Sequence, residues 1–494
     1  MTSPHKIPFQ SFISINKKDE TPIYLQLVFG FIKAIQLKNL PNATKLPGSR
    51  TLSKILAVNR NTLIKALYDL EAQGFVDILP NKGVYIRADQ NVTKQKLNFH
   101  SAEKPTFKFS KSGVLDTPFE ETAVVLKLDD GLTQSNLHHS AALGSLYSSE
   151  LKKKRRIEDI AIYQQDSSQR LNQHVLSFIN LSRSLRLEAN QFLTTSHHNL
   201  SLYLIIKVLL SQGDAAAVIS PGYYRANMVL ADRGVQVHTL PAGSNGIDLK
   251  KLATLCEDQK IKLLYLTSGG NYPTNLKIEP ETRVRLLDLA HQYGFVIVEE
   301  DLDFDLQYSI SPTVPLAAFN TNANIIYLSR LSNFLPSAFN FGFITGPAEF
   351  ISELKKHKSL LIPEIDCMKE RVVTQWLENG EVHRSAKKGK QVYLKKRDLL
   401  VQLVNKYLGS KVEFIIPERG LGLWLEWQEE FNLMQLKAQC LKKGLFIPKL
   451  ILYQNRNLCA MRIGFGSLTE EEMEKAFDII SCVYEELISN KYYF

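Results

Sequence analysis

The feature that most constrains the fold is an alternation of strand and helix patterns from about residue 150 onward. Short apolar runs typical of buried strands occur at residues 215–220, 235–241, 261–267, 295–301 and 324–329. Segments with the apolar spacing of helices lie between most of them. The alternation predicts a doubly wound, mostly parallel β-sheet. Because 494 residues exceed what one hydrophobic core can hold, further domains are expected.

Residues 20–87 follow a different pattern. Three successive segments have apolar residues at helical spacing, and two short strand patterns flank a turn at 81–83. Asn59 or Asn61 lies near the start of the third segment and Gly74 follows its end, as helix caps do. Three helices followed by a hairpin are typical of a winged helix-turn-helix.

The third helix of this module contains the candidate DNA-reading residues. In a helix-turn-helix the second helix of the motif lies in the major groove, and its first turn reaches the base edges. That turn contains Arg60, Asn61 and Thr62, and Arg pairs well with guanine as Asn does with adenine. Arg50 opens the preceding helix and could hold a phosphate, while Lys82 lies at the hairpin tip.

The charge distribution also points to an anionic partner. The chain has a net charge of +10, and residues 1–90 carry 12 Lys and Arg against 6 Asp and Glu, a net charge of +6. Positive charge concentrated in one module fits DNA binding by counterion release. The alternative is a winged helix that makes only protein contacts.

Composition argues against several other classes. The five cysteines are scattered without a CxxC pair, so neither a disulfide framework nor a zinc site is expected. We see no secretion signal, and no apolar run approaches the roughly 18 residues that span a bilayer. We therefore predict a cytoplasmic protein without a membrane partner.

Several candidate ligand-binding residues lie near predicted strand ends, where open α/β sheets bind ligands. His197 and His198 begin a helix, and helix N-termini bind anions, although capping or solvated histidines are an alternative. The acidic stretch 298–305 suits either a metal site or a solvent-facing strand end. Arg462 interrupts an apolar strand and requires an anionic partner, either an internal carboxylate or a ligand.

The segments PIYLQL, LPGSRTLSKILAVNRNTLIKALYDLEAQGFV and NKGVYI resemble the winged-helix module of the GntR family of regulators. The later segments NQFLTTSHHNLSLYLIIKVLL, LLYLTSGGNYPTNLKIEP, FVIVEEDLDFD, NIIYLSRLSNFLPSAFNFGFITGP and MRIGFGSLTEEEMEKAF resemble fold-type-I aminotransferases. Joined in one chain, the two modules resemble the MocR-type regulators. The resemblance implies a multidomain protein: a winged helix-turn-helix, then an α/β domain of the pyridoxal-phosphate transferase type with a small C-terminal α/β subdomain.

This resemblance implies four segments along the chain. They are an N-terminal arm at 1–19, a DNA-binding domain at 20–88, a solvated linker rich in Lys, Ser and Gln at 89–120, and an effector and dimerisation domain at 121–494.

The family binds pyridoxal 5′-phosphate as a Schiff base on a lysine in the turn that follows strand 324–329. Aligning that turn with the family places Asn333 at the lysine position, and no lysine occurs between Lys277 and Lys355. An amide nitrogen cannot form the Schiff base because its lone pair is delocalised into the carbonyl. The resemblance therefore predicts that covalent attachment of the cofactor is absent.

Other cofactor positions also depart from the family pattern. Phosphate-binding, pyridine-binding and Schiff-base positions are altered at Ser196, His197, His198, Glu300, Leu302, Asn333 and Asn340. Asn271 lies in the loop that faces the cofactor in the family. Arg330 is new in the turn and could bind an anion or pair with an acid such as Asp301, and we favour the pair. Arg462 matches the arginine that grips a substrate carboxylate, and Arg225 matches a second ligand-binding arginine.

The leading hypothesis is a transcriptional regulator that dimerises, binds paired half-sites on double-stranded DNA, and senses a small carboxylate or amino acid. Its aminotransferase-like domain would be catalytically inactive. One alternative is that pyridoxal phosphate binds non-covalently to His197, His198 and Arg330. Two others are a working aminotransferase with an appended DNA module, and a purely structural dimerisation domain.

Overall fold

The computed structural model describes residues 7–16, 19, 21–87, 108, 111–134, 137, 139–153, 160–243, 246–267, 269–309, 313–319, 324–362 and 366–491. The chain divides into two compact units, Met1–Ser110 and Lys111–Phe494. In the described ranges, no helix combines the length and apolar character needed to cross a membrane. All five cysteines are free thiols.

The first unit consists of helices followed by a β-hairpin. Its elements are α1 (Phe9–Phe12), α2 (Ile23–Gln36), α3 (Ser49–Ile55), α4 (Arg60–Ala72), β1 (Val76–Leu79) and β2 (Gly83–Ile86). The two strands pair antiparallel, with Val76 opposite Ile86. One apolar cluster, drawn from all these elements, forms the core. The predicted winged helix-turn-helix is confirmed.

Local sequence explains where α4 begins and ends. The Asn59 side chain accepts a hydrogen bond from the backbone N–H of Asn61 at 2.8 Å, which caps a free donor at the helix start. Gly74, with φ of +79°, adopts the left-handed conformation just beyond the helix end. Both caps agree with the sequence pattern.

The structure describes parts of the predicted arm and linker. Phe9 and Ile13, within the predicted arm, are 2% and 3% exposed and belong to the first unit's core. Most of the predicted linker lies outside the described residues. The last residue of the predicted linker, Glu120, pairs with Lys437 and accepts from the Lys449 N–H, so this end of the linker belongs to the second unit. The low aliphatic content of the linker gave no sign of these contacts.

The second unit is built around an eight-stranded sheet with the spatial order β3-β10-β9-β8-β7-β4-β5-β6. These strands are β3 (Phe192–Thr195), β4 (Ala215–Ser220), β5 (Gln236–Gly243), β6 (Gly246–Ile247), β7 (Leu263–Thr267), β8 (Val296–Asp301), β9 (Ile325–Arg330) and β10 (Gly342–Thr345). Strands β9, β8, β7, β4 and β5 run parallel. β10 is antiparallel to both its neighbours. The predicted mostly parallel sheet is confirmed.

Helices cover both faces of this sheet. They are α5 (Ser140–Lys152), α6 (Ile160–Arg183), α7 (His198–Leu209), α8 (Tyr224–Asp232), α9 (Leu249–Gln259), α10 (Pro280–Tyr293), α11 (Ala348–Leu361) and α12 (Cys367–Glu378). Successive side chains of a strand point to opposite faces. Accordingly Ala216 and Val218 join one apolar cluster with α7, whereas Ala217 and Ile219 join another with α10.

The last part of the chain forms a smaller layer. Its elements are α13 (Glu381–Tyr407), β11 (Val412–Phe414), β12 (Gly422–Trp427), α14 (Leu433–Lys442), β13 (Leu452–Asn455), β14 (Leu458–Gly464) and α15 (Glu470–Lys491). The four strands form an antiparallel sheet of order β11-β12-β14-β13. Its core includes side chains from α13, α14 and α15. The predicted small C-terminal α/β subdomain is confirmed.

Candidate functional site

A cavity of about 320 Å³ lies in the second unit at the carboxyl ends of β7, β8 and β9. The N-terminal ends of α7 and α8, the loop before β12, Arg462 of β14, and residues 119 and 130–132 complete its wall. The lining residues are Phe119, Asp130, Gly131, Leu132, His197, His198, Asn199, Tyr223, Tyr224, Arg225, Thr267, Gly270, Tyr272, Asn275, Glu300, Asp301, Leu302, Asp303, Arg330, Arg419, Leu421 and Arg462. No lysine is among these described lining residues.

The N-terminus of α7 borders the cavity but is capped by the chain itself. His197 Nδ1 accepts a hydrogen bond from the Asn199 N–H at 3.2 Å. Burial, followed by the positive charge of Arg330, lowers the pKa of both His197 and His198, the latter to about 2. A neutral imidazole keeps the lone pair that this cap requires. The His197 side chain thus occupies a donor that an anion at the helix start would use.

Glu300 lies at the end of β8, paired between Thr267 and Leu328 of the neighbouring strands, and is 1% exposed. Its Oε2 accepts a hydrogen bond from the Tyr265 hydroxyl. Its Oε1 is buried without a hydrogen-bond partner among the described residues. Burial raises the Glu300 pKa to about 7. This cavity-lining residue therefore has one buried carboxyl oxygen without a donor among the described residues.

An internal charge network lies beside Glu300. Asp301 pairs with the buried Arg419 and accepts a hydrogen bond from the Tyr327 hydroxyl at 3.1 Å. Arg183 in turn donates to the Tyr327 hydroxyl at 2.8 Å. Arg419 was absent from the sequence-based candidates, although it lines the cavity. Its Asp301 contact links positions 118 residues apart, which no local pattern reveals.

Asn333 is not among the cavity-lining residues. Its Nδ2 donates to the Leu302 carbonyl oxygen at 2.8 Å and to Asp305, and its backbone N–H donates to Asp305 at 2.8 Å. Ser332 donates to the same carboxylate at 2.7 Å, and Asn340 donates to the Ser332 carbonyl at 2.6 Å. The turn is therefore closed by its own hydrogen bonds.

Arg330 forms the internal pair favoured by the sequence, but with a different acid. Its Nη2 lies 3.4 Å from Asp303 Oδ1, and its Nε donates to the Leu302 carbonyl at 3.0 Å. The expected partner, Asp301, is already taken by Arg419. The sequence named Asp301 only as an example of a nearby acid, and the acid that Arg330 contacts is Asp303, two residues further along the chain.

The two predicted ligand arginines both line the cavity but differ in their contacts. Arg462 is 4% exposed and donates through Nε to the Asp130 carbonyl at 3.0 Å. Its Nη1 donates to the Pro273 carbonyl at 2.7 Å and to Asn275 Oδ1 at 2.9 Å. Arg225 lies over the rings of Phe119 and Tyr224, at 5.6 and 5.3 Å from their centroids. Within the described part of the chain, no ion pair joins Arg225 to an acid.

The remaining predicted positions lie around this centre. Ser196 is exposed, and its carbonyl accepts from Lys369 Nζ at 3.5 Å. The Asn271 amide donates to the Pro221 carbonyl at 3.2 Å and orders the loop beside the cavity. Among the described residues, no group of three or more acids, histidines or cysteines is arranged to hold a metal ion. Glu299, for example, accepts two backbone N–H bonds near Leu316.

The predicted DNA-contacting residues lie in the first unit. Arg60 is the first residue of α4, is exposed, and donates through Nε to Ser49 Oγ at 3.2 Å. Asn61 and Lys82 are exposed, Lys82 within the turn between β1 and β2. Arg50 is exposed on α3, and Thr62 is half-buried. Short polar and basic side chains therefore surround the start of the predicted reading helix.

Comparison with known proteins finds a family for the first module and relatives that cover most of the chain. Residues 32–86 match the family described as bacterial regulatory proteins, gntR family. The HTH-type transcriptional regulator YdfD of Bacillus subtilis is 22% identical over 97% of this chain and 100% of its own length. The probable rhizopine catabolism regulatory protein MocR of Rhizobium meliloti is 20% identical over 83% of this chain and 82% of its own length.

The second module matches solved aminotransferase structures. The multiple substrate aminotransferase from Thermococcus profundus superimposes with a TM-score of 0.65 at 20% identity, covering 75% of this chain and 93% of that one. At this identity the likeness concerns the fold. The chain thus joins a helix-turn-helix domain that matches the gntR family to a domain with the fold of aminotransferases, and over most of its length it is similar to the regulators YdfD and MocR.

Proposed function

We propose that this protein is a DNA-binding transcriptional regulator, with residues 20–88 as the DNA-binding domain and residues 121–494 as a dimerising effector domain. The observation that carries the proposal is the exposed first turn of α4, where Arg60 and Asn61 present hydrogen-bond donors in a gntR-type module. The end-to-end likeness to relatives that are named as regulators supports it.

Substitution of Arg60 tests the assignment of the reading helix. Arg60→Ala should weaken specific DNA binding by roughly 1–3 kcal/mol, because a bidentate base contact contributes about that much. The matched control is Lys33→Ala, an exposed basic residue in the last turn of α2, which should leave specific binding nearly unchanged. A footprint of the Arg60 variant identical to that of the wild type would show that α4 does not read the bases.

The effector domain is proposed to sense a small carboxylate or amino acid. Arg225 and Arg462 support this because both guanidinium groups line one cavity, and arginine recognises carboxylates with its paired N–H donors. Sensing would act on DNA binding through the dimer, since a ligand that binds one state better shifts the equilibrium toward it.

We further propose that pyridoxal 5′-phosphate is not attached covalently and that the domain is not an enzyme. The residues at the cavity do not fit the group. No described lining residue is a lysine, and Asn333 is bound to Asp305 instead of facing the cavity. The His197 imidazole accepts the hydrogen bond of a helix N–H that would otherwise be available to a phosphate, and Arg330 forms an ion pair with Asp303.

A further inference from the structure

We infer that the cavity binds a zwitterion directly, without a cofactor: the ligand's amine donates to Glu300 Oε1 and its carboxylate pairs with Arg225. The inference rests on the proposed sensing function and deepens it, because it specifies an amine-bearing carboxylate and a cofactor-free site. It also gives Glu300, the residue at the pyridine-binding position, a new role as a ligand-binding group.

The first argument is the unsatisfied oxygen of Glu300. A buried carboxyl oxygen without a donor costs free energy, so such groups in native proteins call for a partner. Glu300 is 1% exposed, its Oε2 is fixed by Tyr265, and its Oε1 has no partner in the described ranges. Because Glu300 also lines the cavity, a donor bound there can complete its hydrogen bonding.

The second argument is the charge balance of the cavity wall. Four arginines and four acids line it: Arg225, Arg330, Arg419, Arg462, Asp130, Glu300, Asp301 and Asp303. Arg330 pairs with Asp303, and Arg419 pairs with Asp301.

The other two arginines, Arg225 and Arg462, form no ion pair within this described set. Arg462 donates to the Asp130 carbonyl, and the Asp130 carboxylate accepts from the Tyr272 hydroxyl at 3.1 Å. Arg462 and Asp130 therefore have neutral internal hydrogen-bond partners, whereas in this described set Arg225 has no ion pair and Glu300 keeps an oxygen without a partner. A ligand with one positive and one negative group complements them.

The third argument concerns which arginine receives the carboxylate. Arg462 uses Nε and Nη1 on three internal acceptors, so few of its donors remain. Arg225 instead rests on the aromatic faces of Phe119 and Tyr224, which position a guanidinium without consuming its N–H groups in ion pairs. The direct carboxylate contact is therefore assigned to Arg225, with Arg462 shaping the wall.

Matched ligand pairs test the inference. The full chain, freed of pyridoxal phosphate, would be titrated calorimetrically with the protein amino acids and with the corresponding acids that lack the amine, such as alanine against propionate, glutamate against glutarate and phenylalanine against 3-phenylpropionate. We expect at least one amino acid to bind about tenfold or more tightly than its deaminated partner, because only the amine satisfies the buried oxygen.

Two variants locate the contacts. Glu300→Gln should weaken the amino acid about tenfold and leave the deaminated acid within about twofold, since the amide keeps the Tyr265 bond but not the charge. Arg225→Gln should weaken both ligands. Glu349→Gln, an exposed acid in the first turn of α11, is the control and should change neither. Circular dichroism would verify that each variant is folded.

The outcomes separate this inference from the sensing proposal. If carboxylates bind but the amine brings no advantage, or if Glu300→Gln retains that advantage, the inference is wrong and carboxylate sensing stands. Binding that appears only after pyridoxal phosphate is added also contradicts the inference. If no amino acid and no carboxylate binds, both the inference and the sensing proposal fail.

Discussion

The family resemblance predicts that Asn333 lies at the position of a Schiff-base lysine, and its contacts in the structure are all internal. It is 3% exposed, donates to Leu302 and Asp305, and is absent from the cavity wall. The neighbouring hydroxyl of Ser332 is bound to the same Asp305 carboxylate. Asn333 therefore differs from a Schiff-base lysine in its chemistry, since it is an amide, and in its position outside the cavity wall.

Restoring the lysine alone should not restore the cofactor bond. In Asn333→Lys the new ammonium group would start beside the Asp305 carboxylate and form an ion pair there, which stabilises its protonated, non-nucleophilic form. Incubation with pyridoxal phosphate should leave the absorption spectrum of the free cofactor unchanged and should give no borohydride-fixed adduct at position 333. An adduct at position 333 would show that the turn still faces the cavity.

Glu300 should make stability depend on pH. Its pKa is raised from 4.5 to about 7 by burial, so the folded state holds its proton more tightly than the unfolded state. Stability is therefore lost as pH rises from about 4.5 to 7, and the cost is complete above 7. Glu300→Gln should be more stable than wild type by roughly 1–3 kcal/mol at pH 8, and by less at pH 5.

Urea unfolding of both proteins at the two pH values measures this difference. Glu299 also has a pKa raised to about 7 by burial, but it is present in both proteins and cancels in the comparison. Equal stabilities at pH 8 would mean that the Glu300 carboxyl group is better solvated or better paired than the structure indicates.

Sequence reasoning identified many of the cavity residues but few of their contacts. The histidines, Glu300, Arg330 and the two ligand arginines were named from pattern and resemblance, and the structure brings them together around one cavity. Sequence reasoning named capping as an alternative for the histidines, and His197 does cap α7. It could not predict the Asp301–Arg419 pair, because that pair joins side chains 118 residues apart.

At the scale of secondary structure, the close contact between β10 and the start of α7 positions one edge of the cavity. A Cβ atom on Gly342 would lie 2.6 Å from both the Cα and the backbone N of His198. Backbone atoms cannot move aside cheaply, so glycine is required where the strand and the helix start approach each other this closely.

Two glycine substitutions should therefore have opposite effects. Gly342→Ala should destabilise the second unit by about 1–3 kcal/mol because the added methyl group overpacks the contact with His198. Gly144→Ala, within α5 and with no atom within 4 Å of the added Cβ, should stabilise it by about 0.5–1 kcal/mol. Thermal unfolding would compare them, and a neutral Gly342 variant would show that β10 and α7 can separate.

The presence of the buried strands was easier to predict from the sequence than their directions or their distant contacts. The alternation of apolar runs predicted the parallel strands because a buried strand must be apolar on both faces. The antiparallel placement of β10 between β3 and β9 was not predicted, since strand direction depends on chain connections and not on residue type. The contacts of Phe9 and Ile13 were not predicted because α1 is only four residues long, too short to show a helical period.

At the scale of the whole molecule, the chain joins two modules, and relatives such as YdfD align with both of them. Its first module matches the gntR family, and its second has the fold of aminotransferases. The net charge of +10 suits a protein that works on a polyanion. We expect the second module to dimerise and thereby present two copies of α4 to two half-sites.

DNA selection from a random pool tests the central claim most directly. The full chain, purified and freed of pyridoxal phosphate, would be used to enrich bound DNA through successive rounds. We predict enrichment of one motif that occurs as two copies at a fixed spacing, because a two-fold dimer presents two reading helices. A final pool indistinguishable from the starting pool would contradict sequence-specific DNA binding by this protein.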